Sequence, residues 1–323
     1  MRFRTPAARL HSTDVVIVGF FTLLTIVNIV FASRIPGWWI MVLINAIIIA
    51  AVHGLAAWRE ASSSKALALL HDWYVPPLVF LTFKELYYMI KPIHQGVDYD
   101  DWLIAADHWL FGVHPTQWLQ QFSHPLITEV LMIAYTAFYV LFLIVGYELY
   151  KKHPRSEFHF FMFTCVFGFY LSYVGYFALP AVGPRYTLHD FNSLDAEIPG
   201  LWLTPALRWF VNWGESIPMG VSSAAAMAAT QRDVFPSGHT MMTLVLMWMA
   251  VRYRLGSRHV VVITGVLLII ATVYQRYHYV VDVLGGAVFA VVCLFLAPRL
   301  YVFLRRTIGT MDRVHPWGRD DWY

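Results

Sequence analysis

The chain has 323 residues, of which 59% are hydrophobic and only 13% are charged. A soluble domain usually carries about 25% charged residues, so this composition excludes an ordinary water-soluble protein and indicates an integral membrane protein. The net charge of +3 is too small to indicate a nucleic-acid-binding protein. The two cysteines, Cys165 and Cys293, lie inside apolar runs, where packing explains them better than a disulfide framework does.

Eight apolar segments are candidate membrane spans, since a span needs about 20 mostly apolar residues. They cover residues 15–33, 37–58, 72–91, 127–149, 158–179, 238–255, 259–276 and 282–304. The third is the weakest because it contains Lys84 and Glu85. The first is longer than the apolar core of a secretion signal, so we expect it to be retained as an anchor. The sequence therefore predicts an all-α integral membrane protein with about eight transmembrane helices.

Short basic clusters predict the orientation, because Lys and Arg are enriched in cytoplasmic loops. With eight spans, all five clusters fall on one side of the membrane; they cover residues 2–9, 59–65, 151–155, 252–258 and 299–306. This arrangement places both termini, including a tail over 307–323, in the cytoplasm. The long loop 180–236 then falls on the opposite, extracytoplasmic face.

Two regions between the spans are too long to be simple connections. Residues 101–122 mix three tryptophans with polar residues, for which an interfacial helix with a tryptophan belt is the preferred interpretation and a lid over a lipid entrance the alternative. Residues 180–236 are rich in proline and tryptophan. Because long ordered loops are usually functional, we expect this loop to cap a site and to influence the choice of head group or acceptor.

The string Pro-Ser-Gly-His-Thr opens the sixth predicted span at residues 236–240. Gly238 permits a tight turn and the close approach of a ligand. The backbone N–H groups of Ser237, Gly238 and His239 would begin a helix, and a helix N-terminus favours a bound anion. The alternative is an ordinary serine N-cap with His239 at the surface.

The string Arg-Tyr-His-Tyr-Val-Val-Asp at residues 276–282 places His278 and Asp282 one helical turn apart. A carboxylate on one imidazole nitrogen fixes the tautomer and leaves the other nitrogen as a nucleophile. Asp282 opens the eighth span, where Gly285 and Gly286 permit close helix packing. The alternative is that Asp282 only caps the helix and that His278 lies at the membrane interface.

Together these strings contain the components of phosphoryl transfer without a metal. His278 could attack phosphorus, His239 could protonate the leaving oxygen, and Arg276 supplies a cation beside them. Because the strings lie between membrane spans, we expect a lipid phosphate as substrate. No cluster has metal-ligand spacing and no glycine-rich nucleotide loop occurs, so we expect neither a metal nor another cofactor.

Further charged residues are candidates for substrate contacts. Arg185, which follows the fifth span, offers a planar guanidinium suited to phosphate oxygens, the alternative being an arginine at the lipid head-group surface. Lys84 could supply a phosphate-binding cation, although local pairing or snorkelling is the preferred interpretation. Five loop residues could contact an acceptor alcohol, but solvated or capping positions are preferred for each; they are His189, Asp190, Asp195, Glu197 and Asp233.

The order of the three strings resembles the type 2 phosphatidic acid phosphatase superfamily over roughly residues 70–305. The Gly-Pro-Arg-Tyr string at 183–186 and the Arg-Tyr-His-Tyr-x-x-Asp string resemble its inositol phosphorylceramide synthase-like branch most. The resemblance implies a six-helix core, placed here at 70–306, after a two-helix N-terminal addition over 1–69.

The resemblance also implies roles for individual residues. His278 would form a phosphohistidine with Asp282 as its partner, and His239 would act as the general acid. Arg185, together with Ser237 and Gly238, would bind phosphate. The sequence departs from the family pattern at two positions, where Ala178 replaces a lysine and Thr272 an arginine; Arg276 is expected to take over the arginine's role.

These observations predict a membrane lipid phosphatase in a bacterial inner (plasma) membrane, with its active site on the periplasmic face. The lipid would be a polyprenyl-, glycero- or sphingolipid phosphate. The first alternative is a lipid phosphotransferase that moves a phospho-head group to an alcohol acceptor. The second is a lipid-binding or transport protein without catalytic activity. The expected partners are membrane lipids, the lipid phosphate and, for transfer, the alcohol; nucleic acid is not expected.

Overall fold

The computed structural model describes residues 10–308, which form helices and connecting loops and contain no β-strand. The predicted all-α class is confirmed. The helices are α1 (Ser12–Val30), α2 (Trp38–Ala61), α3 (Lys65–Trp73), α4 (Val75–Ile93), α5 (Asp100–Phe111), α6 (Pro115–Leu119), α7 (Pro125–Thr136), α8 (Phe138–Lys152), α9 (Arg155–Ala178), α10 (Pro184–Thr187), α11 (Leu194–Glu197), α12 (Thr204–Gly214), α13 (Ser223–Ala229), α14 (Gly238–Arg252), α15 (Arg258–Tyr274) and α16 (Val280–Ile308). The predicted basic cluster at 2–9 and nearly all of the predicted tail lie outside the described residues.

Five helical stretches within residues 10–308 are long and apolar enough to cross a membrane. They are α1, α2, the continuous stretch of α3 and α4, α9 and α16. The pair α7 and α8, bent by 48° where they meet, gives a sixth if it is counted as one span. The predicted spans 238–255 and 259–276 are helical, but α14 and α15 have only 15 and 17 residues. Helix length and composition therefore support five or six spans, and the predicted number of eight is not established.

The chain divides into two compact units. The described part of the first comprises residues 10–96, 149–170 and 292–308, and in it α2 packs against both α1 and α3. Glu85 of α4 accepts hydrogen bonds from the side-chain amides of Asn28 at 3.2 Å and Asn45 at 2.9 Å. This intramembrane carboxylate is therefore satisfied inside its own unit. The ammonium of Lys84 lies 5.6 Å from the centre of the Phe80 ring.

The second unit comprises residues 97–148 and 171–291. Here α15 packs against α7 and α14, and α12 packs against α7. Residues of α7, α12, α15 and the segment after α15 form a buried hydrophobic cluster; they are Leu131, Met132, Tyr135, Val211, Ala271, Tyr274 and Tyr277. Because apolar burial is the main favourable term in folding, this cluster fixes the helices that carry the polar segments described below.

The loop 180–236 is ordered and contains the short helices α10 to α13. One carboxylate fastens its middle to α7. Glu129 accepts backbone N–H groups from Leu201 at 2.9 Å, Leu203 at 2.6 Å and Thr204 at 3.1 Å, and the Thr204 hydroxyl at 2.6 Å. Charge-assisted hydrogen bonds of this kind are the stronger ones, so Glu129 anchors the loop.

The segment 101–122 folds into α5, α6 and a short 3₁₀ turn, Gln120–Phe122. Trp109 is 82% exposed, and the interfacial position of this segment stays a prediction. The buried face of α5 carries two carboxylates, Asp100 and Asp107, that bind other parts of the second unit. Asp107 accepts the N–H groups of Val280 at 2.9 Å and Val281 at 2.7 Å, and so caps the start of α16.

Candidate active site

The start of α14 positions the first histidine string. Ser237 is the N-cap, and its hydroxyl accepts the N–H of Thr240 at 3.2 Å, which satisfies one of the free donors of the first helical turn. A Cβ at position 238 would lie 2.2 Å from the Tyr176 hydroxyl. A side chain at 238 would therefore displace Tyr176, which approaches the backbone closely. His239 follows in the first turn of α14.

A sharp turn between α15 and α16 positions the second histidine string. Arg276 has a φ of 66°, in the left-handed region that non-glycine residues rarely adopt. Its carbonyl accepts the backbone N–H of Arg185 at 3.1 Å, which joins this turn to α10. His278 follows and is only 4% exposed, and Asp282 lies fully buried in the first turn of α16.

The two strings are held together through their backbones. The N–H of Ser237 donates to the carbonyl of Asp282 at 3.0 Å. A Cβ at Gly286 would lie 2.6 Å from the Ser237 carbonyl oxygen, and one at Gly285 would lie 2.7 Å from the Phe235 ring. The prediction that these glycines permit close packing is confirmed, and the packing sets the distance between the two histidines.

The imidazole rings of His239 and His278 lie with their centres 6.0 Å apart and their planes at 60°. Tyr135 of α7 stacks on His239 at 4.6 Å and on Tyr277 at 4.4 Å. Since Tyr135 and Tyr277 both belong to the buried hydrophobic cluster, this stack ties the histidine pair to the core of the second unit.

Asp282 lies behind His278, as the spacing predicts. Its Oδ2 is 3.5 Å from Nδ1 of His278, and it accepts the N–H of Tyr279 at 2.9 Å. The backbone of Val234 also hydrogen-bonds to the His278 imidazole. Burial lowers the pKa of His278 to about 3, and the neighbouring His239 acts in the same direction. The imidazole is therefore neutral at neutral pH, so that it retains a nucleophilic lone pair.

Arg185 of α10 brings a permanent positive charge to the same place. The guanidinium is nearly buried, pairs with Glu215, donates to the side-chain oxygen of Asn212 at 3.1 Å and lies 4.8 Å from the centre of the Tyr277 ring. Burial alone would lower the pKa of Arg185, but the Glu215 carboxylate raises it above its ordinary value. Glu215 also accepts the hydroxyl of Thr230 at 3.0 Å.

A cleft of about 270 Å³, including its open mouth, collects these groups. Its lining consists of Tyr135, Val182, Arg185, Glu215, Asp233, Val234, His239, Tyr277 and His278. Two histidines and one arginine thus face a common space with two carboxylates. This set can bind an anion, supply a neutral nucleophile and exchange a proton.

Asp100 supports the cleft from α5. Its carboxylate accepts the N–H groups of Val182 at 2.9 Å and Gly183 at 2.8 Å, together with the hydroxyl of Tyr279 at 2.8 Å. Gly183 has a φ of 95°, and a Cβ there would lie 2.9 Å from the Tyr277 carbonyl oxygen. The segment that carries Arg185 is therefore fixed against the segment that carries His278.

Three predicted phosphate ligands make other contacts. The Ser237 N–H is bound to Asp282, the Gly238 backbone hydrogen-bonds to Tyr176, and Arg276 is fully buried and pairs with Glu197. None of the three is among the residues that line the cleft described above. Lys84 belongs to the first unit. The phosphate-binding roles of these four residues stay predictions.

Of the five loop residues considered as acceptor contacts, only Asp233 lines this cleft. Asp190 caps a short turn by accepting the Asn192 N–H at 3.2 Å, and Asp195 pairs with Arg208. The imidazole of His189 is 3.0 Å from the Thr116 hydroxyl and 3.8 Å from the carboxylate of Glu197. These contacts agree with capping and pairing roles.

Sequence reasoning missed several residues of the cleft and its support. They are Tyr135, Asn212, Glu215 and Tyr277 around the histidines and Arg185, and Asp100 and Asp107 on α5. Glu215 follows an amphipathic helix inside a loop, and Tyr135 lies in an apolar run, so neither position carries a local signal. Tyr135 falls inside the predicted span 127–149 and Asp107 inside the segment 101–122, but nothing local marks either residue as part of a site.

Comparison with known families agrees with the geometry. A family model described as the PAP2 superfamily matches residues 101–296, which is more than half of the chain. The matched region contains Arg185, His239, His278 and Asp282, and it excludes Lys84. No curated protein and no solved structure gives a match to the chain. The chain therefore belongs to the PAP2 superfamily.

Proposed function

We propose that this protein is an integral membrane lipid phosphatase that forms a phosphohistidine at His278. Members of the PAP2 superfamily are generally phosphatases or phosphotransferases. The observation that carries the proposal is the pair of imidazoles 6.0 Å apart, which share one cleft with the charged Arg185. The substrate would be a polyprenyl-, glycero- or sphingolipid phosphate, reached from the extracytoplasmic face.

In the first step, the neutral imidazole of His278 attacks phosphorus. The new N–P bond forms while the P–O bond to the lipid breaks, and His239 donates a proton to the departing oxygen. Asp282, 3.5 Å from Nδ1, stabilises the positive charge that develops on the His278 ring. Arg185 binds the phosphoryl oxygens and neutralises their charge.

In the second step, water attacks the phosphohistidine. His239, now unprotonated, takes the proton from water, the N–P bond breaks and inorganic phosphate leaves. His278 returns to its neutral form. Each group therefore ends the cycle in the protonation state in which it began.

Glu215 is part of the proposed binding step. Its carboxylate already pairs with Arg185, so a substrate phosphate competes with it for the guanidinium. The competition would weaken the binding of free phosphate as well as that of substrate. Release of the second product would then be assisted by the return of Glu215 to Arg185.

The phosphotransferase alternative, with an alcohol acceptor as in inositol phosphorylceramide synthases, is favoured by one feature. The cleft contains two carboxylates, Glu215 and Asp233, which can accept hydrogen bonds from the hydroxyls of a polyol. The acceptor oxygen would replace water in the second step and give its proton to His239. Catalytic residues are shared, so only the fate of the phosphoryl group separates the two activities.

Trapping the phosphoenzyme tests the proposal. Purified protein is mixed with radiolabelled polyprenyl, glycero- or sphingolipid phosphate and quenched rapidly, with and without alcohol acceptors. We expect an acid-labile, base-stable phosphoenzyme in the parent and neither label nor turnover in His278→Ala. His124→Ala, which alters a helix-capping histidine of the same unit outside the cleft, should keep the label. Release of the label as inorganic phosphate identifies a phosphatase. Transfer of the labelled phosphoryl group to the alcohol identifies a transferase.

Two results would contradict the mechanism. One is label on a residue other than His278, and the other is substantial turnover by His278→Ala. Absence of both label and turnover across the whole lipid panel in the parent would support the third possibility, a lipid-binding or transport protein.

A further inference from the structure

The first unit contains a group of side chains that could hold a metal ion and that come from two distant parts of the sequence. His11 precedes α1, Asp14 lies in its first turn, and His71 lies near the end of α3. One ligand atom from each of these residues lies within 4.8 Å of the others. Sequence spacing gave no indication of this group, because 57 residues separate Asp14 from His71. The three residues are called the His-Asp-His cluster below.

The distances in the His-Asp-His cluster suit a small cation. Nε2 of His71 is 3.1 Å from Oδ2 of Asp14. Two ligand atoms on a tetrahedral Zn²⁺ at bond lengths of about 2.1 Å lie about 3.4 Å apart. The hydrogen bond between His71 and Asp14 therefore already holds two atoms at the spacing of metal ligands, and a ring nitrogen of His11 lies within 4.8 Å of both.

Neighbouring side chains hold the Asp14 carboxylate and pack against the His11 ring. The other carboxylate oxygen of Asp14, Oδ1, accepts the hydroxyl of Tyr74 at 2.5 Å, which leaves Oδ2 toward the histidines. His159 packs its ring against His11 at a centre-to-centre distance of 5.0 Å and is itself held by Asp72 at 3.0 Å. The Tyr74 hydroxyl therefore orients the Asp14 carboxylate, as hydrogen-bond donors outside a metal site orient ligating carboxylates.

The exposure of the three side chains also suits a metal site. Asp14 is 1% exposed and His71 is 5% exposed, whereas His11 faces the surface and gives an ion a route of entry.

We propose that His11, Asp14 and His71 bind one divalent transition-metal ion, with two imidazole nitrogens and one carboxylate oxygen as ligands. A donor set of two nitrogens and one oxygen suits Zn²⁺ and its neighbours better than Ca²⁺ or Mg²⁺, which prefer oxygen ligands. The ion would link the start of α1 to the end of α3. None of the three residues belongs to the cleft of the second unit, so the ion is assigned a structural role and takes no part in phosphoryl transfer.

Metal stoichiometry tests this proposal. The full-length protein is purified in detergent with a tag that lacks histidine, stripped with EDTA, reloaded with Zn²⁺ and freed of excess by gel filtration. We expect about one zinc per chain by mass spectrometry of the metal. His71→Ala and His11→Ala should lose it. His53→Ala is the matched control. His53 is an exposed histidine of α2 whose ring contacts a backbone carbonyl of its own helix, so the His53→Ala variant should retain zinc.

The unfolding temperature gives a second test that uses the parent protein, so it does not depend on whether the alanine variants fold. Zn²⁺ should raise the unfolding temperature of the parent and of His53→Ala, since a ligand that binds only the folded state stabilises it. A parent that holds no stoichiometric zinc and shows no zinc-dependent shift would overturn the proposal. Zinc binding by His71→Ala equal to that of the parent would also overturn it.

Discussion

The change of Asp282 to asparagine isolates the charge behind the proposed nucleophile. The two side chains have nearly the same shape, and the asparagine oxygen can still accept the N–H of Tyr279, which donates to the carboxylate at 2.9 Å. The fold should therefore persist. What is lost is the negative charge 3.5 Å from Nδ1 of His278.

The size of the effect follows from that distance. The His278 ring becomes positively charged as it takes the phosphoryl group, and a unit charge pair 3.5 Å apart interacts by about 4.7 kcal/mol at an effective dielectric constant of about 20. Because about 1.4 kcal/mol is a factor of ten in rate, phosphoenzyme formation should slow by about 10³- to 10⁴-fold. Loss of the aspartate from a Ser-His-Asp triad has a comparable effect, about 10⁴-fold.

Single-turnover rapid quench measures this rate directly, and gel filtration with thermal unfolding checks the fold. Asp107→Asn is the matched control, because its carboxylate caps the same helix start through Val280 and Val281 but is not paired with His278. The control should lose about 1 kcal/mol of stability and less than about tenfold in rate. The reasoning is refuted if Asp282→Asn keeps more than about a tenth of the parental rate, or if Asp107→Asn loses as much as Asp282→Asn.

Three further predictions concern the leaving group, the binding charge and the membrane topology. His239→Ala should slow the phosphorylation step by about 10²- to 10⁴-fold with a lipid phosphate but far less with an aryl phosphate, whose leaving group needs no proton. Equal losses of single-turnover rate on the two substrates would exclude a general acid at this position. Glu215→Gln should lower KM for the lipid phosphate by about threefold to tenfold with little change in kcat, because the substitution removes the charge that competes for Arg185. A higher KM would instead show that Glu215 positions the arginine. In intact cells, a cysteine at exposed Asn192 should react with an impermeant reagent and one at exposed Lys152 only after permeabilisation, and the reverse pattern would place the cleft on the cytoplasmic side.

The positions of the long helices could be predicted from the sequence, because an apolar run of sufficient length has few alternatives in a membrane. A helix occurs at each of the eight predicted positions. The number of these helices that cross the membrane could not be predicted in the same way. The break between α7 and α8 and the short lengths of α14 and α15 depend on how neighbouring helices pack, and composition alone does not record that packing.

The residues proposed for catalysis were equally visible in the sequence. His278 and Asp282 are one turn apart, so a local backbone conformation is enough to bring them together. His239 could be grouped with them from its chemistry and from the family resemblance, and the structure supplies the physical link in the hydrogen bond from Ser237 to Asp282. The partner of Arg185 was not visible, because Glu215 lies 30 residues further along a loop.

The sequence by itself determined the all-helical membrane class and the motifs that contain the two histidines and the aspartate, because hydrophobic runs and one-turn spacings are local properties. The tertiary structure decided which charges meet. It brought Glu215 to Arg185, Asp100 to the Val182–Gly183 turn, and His71 to Asp14. Buried charges need partners, and the partner is selected by the packing of distant helices and loops, which no local pattern encodes.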